Sequence, residues 1–88
     1  MHLELDIHNY YEHLVVERLH EDNLYKSYDK EFLADLCCLA LSKLPARYIR
    51  HEVDMAFYLS VEQRTSMVEE SRKAVRESLD YLLTKSDE

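Results

Sequence analysis

The chain has no glycine in 88 residues and one proline, Pro45. Glycine reaches positive φ without steric cost, and the tight turns of hairpin-rich β folds usually depend on it. An all-β architecture is therefore disfavoured. Phosphate-cradling glycine loops of the P-loop and dinucleotide-fold types are excluded. What remains is a helical chain whose connections are made by polar residues and a single Pro turn. The length permits one domain, residues 1–88, with no room for a second core. Domains of this size are often marginal alone, so a partner chain is expected from the outset. Hydrophobic residues make up 47% of the chain, too many for a disordered segment. The formal charge of −7 opposes general binding to duplex DNA, which needs many cation–phosphate contacts.

No apolar run reaches the roughly 18–20 residues that a membrane-spanning helix needs. The start, Met1-His2-Leu3-Glu4-Leu5-Asp6, lacks the basic and apolar regions of a signal peptide. The expected location is the cytoplasm, with no membrane association. The two cysteines, Cys37 and Cys38, are adjacent. A disulfide between neighbours is strained, and zinc sites usually show Cys or His paired at x₂₋₄ spacing. They read as two small buried apolar residues of a helix.

Three principal helices are expected. Asp6 is placed to cap the first, from Ile7 to His20, whose Ile7, Tyr11, Leu14, Val15 and Leu19 share one face. Asp22-Asn23 breaks it, and Leu24–Tyr28 reads as a polar-aromatic connector. A second helix runs from Asp29 to Lys43. It is apolar almost all round, which predicts a central buried helix. Pro45 ends it, since the residue before a proline avoids the helical region. Ser60-Val61-Glu62-Gln63 fits a capping box, opening a third helix from Val61 to Thr84. Its expected buried stripe is Val68, Ser71, Val75, Leu79 and Leu82, with Met67 and Ala74 beside them. Between these helices Val53, Met55, Phe57 and Leu59 alternate with other residues, the period of a strand, although a segment so short is also open to a helical reading. No other segment alternates as well, so a strand at 53–59 would find its partner in a second subunit, antiparallel across a two-fold axis. The expected fold class is mainly α: three helices with one short strand, in a homodimer.

Nothing in the chain looks built for catalysis. Nucleophilic or acid–base chemistry needs a base beside a nucleophile or a second titrating group. The five histidines are not spaced for one metal ion, and neither HExxH nor CxxC occurs. The informative stretch is Lys43-Leu44-Pro45-Ala46-Arg47-Tyr48-Ile49-Arg50. It carries three cations and no acid, while the rest of the chain sits at −10. Lys43, Arg47 and Arg50 around a Pro turn, with Tyr48 beside them, suit a phosphate and a stacked base. The structural alternative pairs Arg47 and Arg50 with acids such as Asp35 or Glu12 and packs Tyr48. Asp35 is the sole carboxylate within residues 32–41. If buried, it needs a partner, and Arg47 or Tyr48 folding back after Pro45 are the first candidates.

Asn9-Tyr10-Tyr11-Glu12 followed by Val15-Val16-Glu17 resembles the "N-x-x-E…V-x-E" opening of the late competence development protein ComFB family. The stretch from Asp35 to Tyr48, with "LALSKLPARY" at its heart, resembles the family's Asp followed by "A-L-N-x-L-P-P-x-Y". The resemblance covers about residues 7–50, and the last helix fits in length and place. It implies a small, mostly helical, dimeric, non-enzymatic protein, linked in some bacteria to competence for DNA uptake. Some members are receptors for cyclic dinucleotide second messengers. Others carry a Cys-x-x-Cys pair before the second helix and bind zinc. Here Leu24–Glu31 has no cysteine, so the zinc site is not carried over and no cofactor is implied. Ser42 stands where Asn is usual, and Ala46 where a second Pro is usual, both at the candidate ligand turn. Two functions follow: a cyclic dinucleotide receptor using Lys43, Arg47, Tyr48 and Arg50, or an adaptor that acts through protein contacts without a small ligand.

Overall fold

The computed structural model describes residues 7–50 and 59–86. Their chain order is β1 (His8–Asn9), α1 (Tyr10–Glu21), α2 (Leu24–Ser27), α3 (Lys30–Ser42), β2 (Tyr48–Ile49) and α4 (Val61–Ser86). The fold is mainly helical, as the glycine-free composition predicts. The principal helices fall where the periodicity puts them, with α2 a single added turn in the expected connector.

Each long helix begins at a side-chain cap. The first one differs from expectation. Helix α1 starts at Tyr10 rather than Ile7, and its N-cap is Asn9, whose carbonyl Oδ1 accepts from the Tyr11 amide at 3.2 Å. Ile7 consequently lies outside the helix and is 53% exposed, while Tyr11, Leu14, Val15 and Leu19 are buried. Asp29 caps α3, accepting from the Phe32 amide at 2.8 Å. At α4 the capping box is reciprocal: Ser60 Oγ accepts from the Gln63 amide at 3.1 Å, and Gln63 Oε1 accepts from the Ser60 amide at 2.9 Å. Between α1 and α2 the backbone enters the left-handed region at Asn23, φ 57°. Without glycine, asparagine takes that position, since its short amide tolerates the conformation better than other side chains.

The sheet is the second departure from expectation. β1 and β2 pair antiparallel within the chain, His8 opposite Ile49 and Asn9 opposite Tyr48. This two-residue pairing returns the post-proline segment to the start of α1. The alternating segment falls almost wholly at 51–58, outside the described residues, and so does the proposed cap Asp6. Leu59, at its end, is buried but in neither helix nor strand.

Two apolar clusters form the core. One gathers Tyr10, Tyr11, Leu14, Ile49, Leu59 and Met67 where α1, the sheet and the first turns of α4 meet. The other gathers Val15, Leu19, Leu36, Ala40, Ala74 and Val75 at the centre of the three long helices. Fully burying a side chain such as Leu36 or Val15 contributes about 1.5–3 kcal/mol. Helix α3 is not buried all round. Only Leu36 and Ala40 are buried, while Phe32, Leu33, Cys37, Leu39 and Leu41 are half-buried and Ala34 and Cys38 are exposed. The expected burial of Cys38 is thus corrected to an exposed thiol. Both cysteines are free. Burial and the neighbouring Cys38 push the Cys37 thiol up, which keeps it protonated and unreactive.

Candidate functional site

The basic turn is held in place by the start of α1. Asn9 Oδ1 accepts a second hydrogen bond, from the Arg47 amide at 2.9 Å. The Tyr10 amide donates to the Arg47 carbonyl at 2.7 Å. The backbone of Arg47 is therefore committed in both directions, and what it offers a ligand is its side chain. Pro45, Ala46 and Arg47 form one wall of an open cleft of about 340 Å³. Gln63, Ser66, Met67 and Glu70 of α4 also line it, together with Tyr11 and Leu59.

The polar groups of this cleft are organised around Glu70. Tyr11, only 4% exposed overall, donates its phenolic O–H to Glu70 Oε2 at 3.1 Å. Ser66 Oγ lies 3.3 Å from Glu70 Oε1, as its donor. Burial, then the Glu70 hydrogen bond and charge, push the Tyr11 phenol up to about 12, against an opposing pull from Arg47. At neutral pH Tyr11 is a fixed donor rather than a nucleophile or base. The cleft thus has an anchored carboxylate on α4 and a guanidinium on the Pro turn.

The structure divides the four candidate ligand residues. Arg47 lines the cleft and is exposed. Lys43, the C-cap residue of α3, instead approaches Glu77 of α4 at 3.8 Å and borders an adjoining cleft with Leu44, Lys73 and Ala74. Glu70 lies on the edge of both clefts. Tyr48 is 69% exposed on the outer side of β2, where alternation sends Ile49 inward. Arg50 is exposed just beyond it. Among the described residues no ion pair joins Arg47 or Arg50 to Asp35 or Glu12.

Asp35 is corrected from buried to exposed, and neither Arg47 nor Tyr48 bonds to it. The reason is angular. At 100° per residue, Glu31, Asp35, Cys38 and Ser42 form one stripe, and all four are exposed. Leu36 and Ala40 point the other way. Reading residues 32–41 as uniformly buried concealed that stripe.

Tyr11, Gln63, Ser66 and Glu70 were not among the candidates. Tyr11 counted only as apolar face, although its hydroxyl needed a partner once buried. On α4, Gln63, Ser66, Met67 and Glu70 follow i, i+3, i+4, i+7 spacing, a mostly polar stripe beside the buried one. That spacing was the available signal. Among the described residues no group of three or more His, Cys, Asp or Glu side chains is arranged to hold a metal ion. No described helix is long and apolar enough to cross a membrane.

Residues 8–85 match the family model described as late competence development protein ComFB. No curated protein and no solved structure gives a significant match.

Proposed function

We propose, because this chain belongs to the late competence development protein ComFB family, that it acts as a receptor for a cyclic dinucleotide and has no catalytic role. Membership makes it a small competence-related regulatory protein; the ligand is the finer step. The observation that carries it is the exposed Arg47 side chain at an open cleft, on a turn whose backbone is pinned by Asn9 and Tyr10. A guanidinium on a fixed turn is pre-organised for a phosphate, and its planar donors suit phosphate oxygens. Tyr48 and Arg50 follow Arg47 in the chain and are exposed, and in this reading they reach a second part of the ligand. Lys43, engaged with Glu77, contributes at most by releasing that carboxylate. The protein works as a homodimer in this reading, so that two cationic turns meet the two phosphates of one ligand. Light scattering at micromolar concentration should give twice the chain mass; a monomer removes the dimer.

Calorimetry with cyclic di-GMP and cyclic di-AMP tests the ligand. Binding is expected for at least one of them. Arg47→Ala should weaken it at least tenfold, about 1.4 kcal/mol, without changing the melting temperature. No heat with either ligand at ~100 μM protein ends the receptor reading.

The adaptor reading has its own observation. Ala34 and Cys38 are exposed at one edge of the outward polar stripe of α3, and Phe32 and Leu39 are half-buried on its other side, so apolar side chains flank that stripe. Pull-down of a specific protein that is lost on Cys38→Glu, with no dinucleotide binding, would favour it.

A further inference from the structure

We propose that Glu70 makes the cleft selective for guanine over adenine. This rests on the reading that a nucleotide binds there, and it names the base. Each oxygen of the Glu70 carboxylate already takes one hydrogen bond, Oε2 from Tyr11 and Oε1 from Ser66. A carboxylate oxygen has two acceptor positions, so one remains on each. Two parallel acceptors match the adjacent N1–H and N2–H donors on the Watson–Crick edge of guanine. Adenine presents one donor, its 6-amino group, beside the N1 lone pair. That lone pair would face a carboxylate oxygen, an unpaired and repulsive contact.

The anchoring makes this a discriminating contact rather than an adaptable one. Tyr11 is buried and reaches Glu70 from α1, and Ser66 holds it from one helical turn earlier. Although Glu70 is exposed, turning the carboxylate away from a mismatched base would break the bond from the buried Tyr11 phenol. Sites built to hydrogen-bond a substrate reject analogues that leave those groups unpaired. The charges also orient the nucleotide. Glu70 repels a phosphate, and Arg47, which lines the same cleft, attracts one, so the base is directed to α4 and the phosphate to the Pro turn. The cleft volume of about 340 Å³ is at the lower end of small-molecule sites, roughly 300–1,000 Å³, and suits one nucleotide half of the ligand.

The test is calorimetry of the full chain with cyclic di-GMP and cyclic di-AMP, on the parent protein and on Glu70→Gln. The parent should prefer cyclic di-GMP at least tenfold. Glutamine keeps an acceptor for Tyr11 but offers one donor and one acceptor to the base, the pattern adenine matches. Glu70→Gln should therefore lower that preference at least tenfold, through weaker cyclic di-GMP binding, with cyclic di-AMP binding unchanged or stronger. A merely structural Glu70 would leave the ratio alone. Equal parent affinities, or a ratio unchanged in Glu70→Gln, overturn the selectivity while the receptor reading stands. Failure of both ligands to bind the parent overturns the receptor reading and the selectivity with it. If Glu70→Gln does not fold, Tyr11→Phe decides: loss of the anchoring bond to Glu70 should lower the preference for cyclic di-GMP, and an unchanged ratio overturns the selectivity.

Discussion

Helix α3 is almost wholly apolar through residues 32–41, yet it buries two of its 13 residues, Leu36 and Ala40. Helix α4 is rich in charge along its length, yet Met67, Ser71, Ala74, Val75 and Ser78 are all buried. The difference lies in which side chains face the junction rather than in apolar content. Helices α3 and α4 each pack against the other and against α1, and α4 meets them through the small side chains at 71, 74 and 78 as well as Met67 and Val75. Helix α3 turns one face to that junction and the other outward. Apolar content therefore does not predict how much of a helix is buried; the side chains turned to the junction decide it.

Substitution of leucines on α3 puts the largest strain on this comparison. Leu36→Ala should destabilise the protein by about 2–5 kcal/mol, because the surrounding helices cannot fully collapse on the space left. Leu39→Ala, on the half-buried side, should cost much less. Urea denaturation measures both. Equal costs would mean that the outward face of α3 is covered in solution.

A smaller effect tests the contact between α1 and the polar edge of α4. The Tyr11 phenol is held at about 12 in the folded chain, against 10.0 for the free group. Between these values the unfolded chain loses a proton that the folded chain keeps, so stability falls as pH rises and levels above pH 12. The contribution is fully present below pH 10 and is on the order of 2 kcal/mol. Absorbance titration should show one of the seven tyrosines ionising late, and Tyr11→Phe should abolish that late step.

The smallest effect concerns Ser78, which is fully buried on α4 with its hydroxyl unpartnered among the described residues, unlike Ser71, whose hydroxyl donates to the Met67 carbonyl at 2.9 Å. Ser78→Ala should raise stability by about 1 kcal/mol or less, since the unpaired hydroxyl costs desolvation without return. Ser71→Ala should not stabilise. Thermal melting of the two variants distinguishes them, and matching shifts would show that Ser78 has found a partner.

Local signals in the sequence carried the helices well. Asp29 and the Ser60–Gln63 box mark their starts because capping is decided within four residues. Pro45 marks the end of α3 for the same reason. The short sheet was not legible, because a two-residue pairing between His8–Asn9 and Tyr48–Ile49 has no periodicity to detect. Periodicity alone consequently places Asn9 in the helix interior rather than at its cap. Within the site, the contrast of charge picked out Arg47 and the turn. It gave no hint that Lys43 would turn to Glu77, since that depends on which face of α4 lies opposite. Tyr11 and Glu70 are 59 positions apart, and their bond exists only after α1 and α4 have packed.

Asn9 joins the first turn of α1 to a residue 38 positions away through a single oxygen atom, which accepts from Tyr11 and from Arg47. The first turn of α1 and the cationic turn are consequently one thermodynamic unit. A force that draws Arg47 away from the sheet must either break that shared acceptor or pull the helix start along with it. Amide exchange at Tyr11 and Arg47 would then rise and fall together. Occupancy of the cleft would be registered at the first turn of α1 as well as at the turn that holds the ligand.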